Sequence, residues 1–373
     1  MAKSAKSVSI AKAQVPVSCH FCNGLGTKWK CEECDVFMCS SCKEKVHGKL
    51  KSSQNHEVVS ISDISKDPLD SIEVASEVVS SVFNTYNITV PFVSCLSCSN
   101  DDIVYILDNS EPTKCNFIKV KLLKASVRVL ETHDLPMYDF ALNRNDEILF
   151  TNIHSEEESP VRIISSGEIT TVLDPKPMRL TAIHINKDNE LICGLREQGP
   201  TFPVHDFSVR QIVIFGSDYR RKITLENDTK GRKLFRSPAR ISTDSKNVMY
   251  VADIENEDWK GKLLAIDRSG RLLFSYRGPP SLEKIGPTSL DVTPTDYIIL
   301  LDVFNNALHV LDSKGILLAL QFLNQFDIEK SVAICIDKEG FLLIGSSSDD
   351  DDDDDDENGK LYVVKLADQF MRY

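Results

Sequence analysis

The amino-acid sequence predicts a mainly β protein made of a small zinc-braced finger, a short helical linker and a six-bladed β-propeller. Three observations predict this organisation. They are three cysteine pairs followed by two histidines, one stretch of apolar residues at helical spacing, and about six repeats of short apolar strands. The chain has 373 residues, 42% of them hydrophobic, which is enough for several domains with a buried core.

The charge of the chain limits its partners. The formal net charge is −13, although the first 62 residues carry more lysines than acids. A surface of this sign disfavours RNA and anionic membranes as general partners. The sequence contains neither an apolar run long enough to cross a membrane nor a signal-peptide core, so we expect a soluble, cytoplasmic protein. Residues 1–16 are rich in Lys and Ser and predict a disordered leader.

The strongest signal is a set of eight candidate metal ligands within residues 17–62. Three CxxC pairs and two histidines supply enough ligands for two tetrahedral zinc sites: Cys19, Cys22, Cys31, Cys34, Cys39, Cys42, His47 and His56. So short a window cannot build a sufficient apolar core, so metal binding would supply much of its folding free energy. Three disulfides, or one zinc ion with spare cysteines, are the alternatives; disulfides would leave the two histidines without a purpose.

This spacing resembles a B-box zinc finger of the tripartite-motif (TRIM) family, nearer its type 1 form. The resemblance implies a cross-brace in which Cys19, Cys22, Cys39 and Cys42 share one zinc ion, while Cys31, Cys34, His47 and His56 share the other. Each ion would have four protein ligands, which leaves no open position for a reactive water and implies structural zinc. Only eighteen residues precede Cys19, so we expect no RING domain.

Residues 63–87 predict a helical linker. Asp67 and Pro68 resemble a helix start, and apolar residues then follow at helical spacing: Leu69, Ile72, Ala75, Val79, Val82, Phe83 and Tyr86. In the TRIM family a longer coiled coil occupies this position. The stretch is too short for a coiled coil, so it predicts no defined oligomer.

Residues 88–373 predict the propeller. The two clearest repeats run from Ala239 to Tyr276 and from Thr288 to Leu318, and weaker copies begin near Val93, Tyr138, Leu180 and Val332. Repeats of this length in β-rich sequence are typical of four-stranded propeller blades. The region resembles the NHL-type six-bladed propeller of one TRIM branch. Eight consecutive aspartates from Asp349 predict a disordered loop over residues 346–359 of the last blade.

Several other residues have less specific interpretations. Cys95, Cys98 and Cys335 are interpreted as small core residues, and the basic residues between Arg220 and Arg236 as a solvated loop. Asp253 and Asp302 occupy equivalent positions in two repeats. They could be calcium ligands as in six-bladed lactonases, but their repetition favours a structural turn role.

These patterns predict a non-catalytic adaptor. The chain contains none of the GxSxG, P-loop or GxGxxG motifs, so we expect no enzyme activity. The expected adaptor binds protein partners on the propeller loops, and the TRIM resemblance implies a role in ubiquitin-related or innate-immune regulation. The alternatives are an RNA-binding post-transcriptional regulator and a ubiquitin ligase acting through the B-box.

Overall fold

The structure is a computed structural model and divides into two compact units, Met1–Glu73 and Val74–Tyr373. It describes residues 19, 21–22, 27–31, 36–49, 58–60, 77–99, 102–111, 114–152, 160–348 and 358–371. The predicted leader over residues 1–16 lies outside the described residues. Among the described residues, none of the helices has the length and apolar composition needed to cross a membrane.

The amino-terminal unit contains a small antiparallel sheet and two short helical segments. The sheet has the strand order β2, β1, β3, formed by β1 (Trp29–Cys31), β2 (Val36–Met38) and β3 (Val58–Ser60). Helix α1 (Ser40–Lys45) follows β2, and a 3-10 turn covers His47–Lys49. Buried Cys19, Cys31, Met38 and Cys42 form the centre of this unit. The few apolar side chains buried among the described residues of this unit cannot by themselves offset the conformational entropy lost on folding.

The second unit is a propeller, and within its described part six four-stranded antiparallel sheets form the blades. Blade 1 contains β5 (Cys95–Cys98), β6 (Ile103–Glu111), β7 (Lys114–Leu122) and β8 (Val127–Asp134). Blade 2 contains β9 (Asp139–Leu142), β10 (Ile148–Thr151), β11 (Val161–Ser165) and β12 (Glu168–Leu173). Blade 3 contains β13 (Arg179–Ile185), β14 (Leu191–Arg196), β15 (Arg210–Phe215) and β16 (Arg221–Leu225).

The remaining blades follow the same order along the chain. Blade 4 contains β17 (Pro238–Thr243), β18 (Met249–Ile254), β19 (Gly261–Ile266) and β20 (Leu272–Tyr276). Blade 5 contains β21 (Pro287–Val292), β22 (Ile298–Asp302), β23 (Ala307–Leu311) and β24 (Leu317–Phe322). Blade 6 contains β25 (Ser331–Ile336), β26 (Phe341–Ser346), β27 (Lys360–Leu366) and, from the start of this unit, β4 (Val79–Asn87).

The burial of the strands explains why the blades assemble into a ring. Second strands such as β14, β18 and β22 are buried along their whole length, because both faces of a blade pack against neighbouring blades. The first strands contact one another in sequence, and β25 contacts β5, so the inner ring is closed. The predicted mainly β fold with a six-bladed propeller is therefore confirmed.

Residues 79–87 correct the prediction of a helical linker over 63–87. They form β4, which pairs with β27 and completes the last blade. Residues 63–76 lie outside the described residues. The propeller therefore begins at least nine residues before the predicted start at residue 88, and the two ends of this unit share one sheet.

Two β-bulges explain the helical spacing in this strand. The pairing of β4 with β27 shifts register twice, and Phe83 and Ser80 are the residues that are skipped. Each bulge inserts one residue and reverses the alternation of faces. Val79 and Tyr86 are consequently buried and Val82 packs against the core, although their spacing of three and four is typical of a helix.

Gln321 anchors the start of this closing strand. Its side-chain oxygen accepts hydrogen bonds from the backbone N–H groups of Val78 and Val79, both at 2.7 Å, and the side chain is buried. We expect Gln321→Ala to leave both groups unsatisfied and to lower the free energy of unfolding by about 1–3 kcal/mol. Urea unfolding of the full chain measures this loss. The exposed Gln325→Ala is the control, and equal stability of the two variants would contradict the anchoring role.

Candidate metal centre and propeller tunnel

Four cysteine thiols meet in the amino-terminal unit. The sulfur atoms of Cys19, Cys22, Cys39 and Cys42 all lie within 4.8 Å of one another. Two CxxC pairs that are separated by sixteen residues in the chain therefore form one cluster. These pairs are the first and the third, which the cross-brace implied by the B-box resemblance assigns to a single ion.

Local structure explains how the third pair presents both sulfurs. Cys39 follows strand β2 and is the residue immediately before helix α1, and Cys42 lies one turn along that helix. Residues three apart on a helix face the same side, so both thiols point to one place. Nearby, the indole nitrogen of Trp29 donates a hydrogen bond to Ser40 at 3.2 Å, and the Lys43 ammonium lies 3.1 Å from the centre of the Trp29 ring.

The geometry of the cluster fits a tetrahedral zinc ion. Zn–S bonds of about 2.3 Å in a tetrahedron separate neighbouring sulfurs by roughly 3.8 Å. The sulfurs of Cys22 and Cys39 are 3.9 Å apart, and Cys19 and Cys42 are buried. Four thiolates would also saturate the ion, which is the arrangement of structural rather than catalytic zinc.

The ionisation of these thiols reflects their crowding. The pKa of Cys19 is lowered to about 6: desolvation would raise it, but the backbone N–H groups of Cys39, Phe21 and Cys22 stabilise the thiolate. The pKa of Cys42 is raised to about 12 by desolvation and by the neighbouring sulfurs. Four adjacent sulfurs need a cation before all of them can ionise.

The second predicted ligand set is described only in part. Cys31 ends strand β1 and is buried, and His47 is also buried. Cys34 and His56, the other two residues of this set, lie outside the described residues. The second zinc site therefore stays a prediction.

The propeller contributes a different kind of site along its central tunnel. The six first strands line a polar cavity of about 220 Å³, and each blade contributes at least one charged or titratable side chain to it: Cys95, Cys98, Asp139, His184, Arg240, Asp291 and Cys335. Tunnel side chains from different blades do not belong to one short sequence motif, because the remaining strands of a blade lie between consecutive first strands.

Asp139 and Arg240 form the charged centre of this tunnel. The Asp139 carboxylate accepts backbone hydrogen bonds from Phe140 at 3.1 Å and from Ile183 of the next blade at 3.0 Å. A guanidinium nitrogen of Arg240 lies 4.0 Å from this carboxylate, and another donates to the Cys95 sulfur at 3.1 Å. Burial raises the pKa of Asp139, and it also raises the pKa of Cys95 to about 12.

Burial also shifts the ionisation of Asp291 and His184 in the tunnel. Burial raises the pKa of Asp291 to about 6, although its carboxylate accepts backbone hydrogen bonds from Ile336 and Val292, both at 2.8 Å. Burial lowers the pKa of His184 to about 4, and its ring bonds to the Thr243 hydroxyl at 2.9 Å. Both shifts favour the neutral form, as expected for groups that are removed from water.

The raised pKa of Asp291 predicts a stability that depends on pH. Its folded-state pKa of about 6 exceeds the ordinary 3.8, so its contribution is complete below pH 3.8 and is lost as pH rises through 6. The wild-type protein should therefore lose stability relative to Asp291→Asn between pH 4 and 6. Urea unfolding at several pH values tests this, with the exposed Asp258→Asn as the control. Parallel curves for wild type and Asp291→Asn would contradict it.

Asp253 and Asp302 lie at blade ends and not in the tunnel lining. Asp253 accepts backbone hydrogen bonds from Arg236 and Ser237, both at 2.8 Å, and Asp302 accepts one from Gly286 at 2.8 Å. Each carboxylate thus fixes the backbone that enters the first strand of its own blade. Both are fully buried, which is consistent with a turn role and not with an open calcium site.

The predicted basic loop divides into two parts. Arg220 lies immediately before strand β16, next to a turn. The later basic residues lie after this strand, in the connection to blade 4. Acidic partners neutralise several of these cations: Arg232 pairs with Asp228 at 2.7 Å and Lys222 with Glu190 at 3.0 Å. A continuous surface for a phosphate backbone is therefore not formed by these residues.

Three solved structures that share the propeller fold are distant from this chain in sequence. A gluconolactonase from Xanthomonas campestris is 10% identical, with a TM-score of 0.52 over 78% of this chain and 95% of that one. A PQQ-bound aldose sugar dehydrogenase from Streptomyces coelicolor is 14% identical, with a TM-score of 0.55 over 76% and 97%. A calcium-binding regucalcin from Agrobacterium tumefaciens is 12% identical, with a TM-score of 0.51 over 80% and 96%. No family model and no curated protein matches the chain.

These similarities establish the propeller fold and correct one prediction. The prediction that the chain is not an enzyme was wrong, because structures that share its fold include a lactonase and sugar dehydrogenases. Short catalytic motifs are a poor guide in this fold, since a tunnel site is assembled from first strands that are far apart in sequence. The comparisons give no support for TRIM, B-box or NHL membership.

The tunnel residues were missed by sequence reasoning, although a signal for them exists. Asp139, Arg240 and Asp291 are each the one charged residue of their first strand, and a charged residue in an inner strand faces either the tunnel or a neighbouring blade. The close approach of Cys98 to Cys335 was not foreseeable, because the two residues are 237 positions apart in the chain.

Proposed function

We propose that this chain is a zinc-dependent adaptor of the RING-less TRIM type, with a B-box-like finger and a propeller that binds a protein partner on its loop face. This proposal is supported by the close approach of the Cys19, Cys22, Cys39 and Cys42 sulfur atoms. The TRIM cross-brace pairs the same two CxxC motifs at one zinc ion. A zinc-braced unit of this kind is a rigid contact surface with no open metal position. Its expected setting is ubiquitin-related or innate-immune regulation.

Exposed aromatic side chains support a protein partner for the propeller. The connections between the second and third strands of blades 3 and 4 carry Phe207 and Trp259, which are 82% and 53% exposed. Trp259, Phe202, Tyr138 and Arg196 line a largely apolar cavity of about 300 Å³, here called the Trp259 cavity. Exposed tryptophan beside a preformed apolar cavity is typical of protein-binding surfaces.

A capture experiment with the full chain tests the adaptor function. We expect Trp259→Ala to lower partner affinity by about tenfold or more, because truncating a central aromatic removes 1–2 kcal/mol or more of binding free energy. The matched control is Leu130→Ala, an exposed apolar residue on β8 of blade 1. Binding that survives nuclease, and is weakened only by Trp259→Ala, supports the proposal. Capture abolished by nuclease would favour RNA, and autoubiquitination with purified E1 and E2 would favour a ligase.

A second candidate function is small-molecule catalysis in the tunnel. It is favoured by one observation: Asp291, Asp139, His184 and Arg240 bring acid, base and cationic groups into a single cavity. Asp291, with a pKa of about 6, is suited to proton transfer near neutral pH. The similar lactonase makes a sugar lactone the first substrate to assay. Hydrolysis that Asp291→Asn reduces at least tenfold, and Asp258→Asn does not, would support this function; hydrolysis at the background rate would exclude this substrate.

A further inference from the structure

Cys98 and Cys335 bring two sulfurs together at the boundary between the first and the last blade. Their Sγ atoms are 2.6 Å apart, although the residues are 237 positions apart in the chain. Nonbonded heavy atoms pack at about 3.5–4.0 Å, whereas a disulfide bond is about 2.05 Å long. Cys98 ends strand β5 and Cys335 lies in strand β25, the two neighbouring first strands at which the ring closes.

The surroundings of the two thiols differ in a way that suits stepwise oxidation. Cys98 is half-buried and contributes to the wall of the tunnel and to that of a second cavity of about 480 Å³, next to Asp102 and Lys338. Cys335 is buried. Burial, together with the adjacent Cys98 sulfur, raises the pKa of Cys335 well above its ordinary value. A small oxidant therefore reaches Cys98 first.

We propose that Cys98 and Cys335 form a reversible disulfide that fastens the first blade to the last. With hydrogen peroxide as the oxidant, the Cys98 sulfur attacks one peroxide oxygen and becomes a sulfenic acid, releasing one water. The Cys335 sulfur then displaces the hydroxyl group from the Cys98 sulfur, which releases the second water and forms the S–S bond. Two thiols and one peroxide give one disulfide and two waters, and a dithiol reductant reverses the change.

This disulfide bond would link the two blades at which the propeller ring closes. Blade 6 is completed by β4, from the start of the unit, so blades 1 and 6 contain the chain segments that must separate when the ring opens. A cross-link spanning 237 positions restricts the unfolded chain strongly. We expect oxidation to raise the melting temperature of the propeller by roughly 5–10 °C.

Peptide mapping of the full, zinc-loaded chain tests this proposal. The wild-type protein is treated with a few equivalents of hydrogen peroxide, free thiols are alkylated, and the digest is analysed by mass spectrometry without reduction. We expect one cross-linked species containing Cys98 and Cys335 that disappears after treatment with dithiothreitol. Because the mapping is specific for each site, oxidation of the zinc-binding cysteines does not obscure it.

Thermal unfolding of oxidised and reduced protein supplies the second readout. The rise in melting temperature should be absent in Cys98→Ser and retained in Cys193→Ala, which removes a buried thiol from blade 3. Alkylation of both Cys98 and Cys335 after peroxide would overturn the proposal. So would a sulfinate at Cys98, or a cross-link from Cys98 to any other cysteine. The wild-type mapping is decisive even if a variant folds poorly.

Discussion

Replacing Cys39 with serine is expected to release the zinc ion of the four-cysteine cluster and to unfold the amino-terminal unit while the propeller stays folded. Binding of a structural zinc ion contributes about 10–16 kcal/mol of apparent free energy, which exceeds the stability of most small domains. The apolar side chains that the described part of this unit packs around Met38 are too few to replace it. Serine is a much weaker zinc ligand than thiolate, so three sulfurs would remain around a weakly held ion.

Zinc content and tryptophan fluorescence measure this effect. Trp29 and Trp259 are the two tryptophans of the chain, so a Trp259→Phe background makes Trp29 a reporter of the amino-terminal unit alone. In that background, Cys39→Ser should have a lower zinc content than the parent protein and give the emission of a solvent-exposed indole. The control is Ser41→Ala, an exposed position on the same helix. Full zinc content and unchanged emission in Cys39→Ser would contradict the assignment of this cluster.

Replacing Asp302 with alanine is expected to destabilise the propeller by about 3–5 kcal/mol, which corresponds to roughly 10 °C in melting temperature. Asp302 is fully buried. Its carboxylate accepts hydrogen bonds from the Gly286 backbone N–H at 2.8 Å and from the Asn305 side-chain amide at 2.6 Å, and it lies 3.3 Å from the His309 ring. His309 in turn bonds to the Tyr276 hydroxyl at 2.7 Å. Alanine would leave several buried polar groups without partners.

The pH dependence separates charge from hydrogen bonding at this site. Burial would raise the pKa of Asp302, but hydrogen bonds from His309, Gly286 and Asn305 outweigh it and lower the pKa. The stabilisation is therefore complete above the ordinary pKa of 3.8 and is lost as pH falls through the lower folded-state value. Asp302→Asn, which keeps most acceptors but not the charge, should approach wild-type stability as pH falls below 4. A loss under 1 kcal/mol in Asp302→Ala would contradict this role.

Sequence reasoning recovered the repeats because blades are local. The strands of blades 4 and 5 follow one another at short intervals, and their apolar runs, polar turns and terminal aspartates Asp253 and Asp302 are visible in order. The candidate metal ligands were likewise visible in the sequence, because CxxC pairs are short and specific. The structure brings together the four thiols of one predicted set, Cys19, Cys22, Cys39 and Cys42.

Features that depend on distant partners were not recovered. Strand β4 was mistaken for a helix because bulges at Ser80 and Phe83 imitate helical spacing, and they are specified by pairing with β27 at the other end of the unit. The tunnel group around Arg240, and the approach of Cys98 to Cys335, require the ring to close. No local pattern encodes such contacts, since they are set by the order of whole blades.

Native mass spectrometry of the full chain, purified under reducing conditions without added metal, tests the central claim most directly. That claim is that zinc ions hold the amino-terminal unit together and make it a docking surface. The account predicts a mass equal to the chain plus two zinc ions, and loss of the Trp29 environment when a chelator removes them. A single ion would confine the metal to the four-cysteine cluster. A metal-free chain with an intact amino-terminal unit would contradict the account.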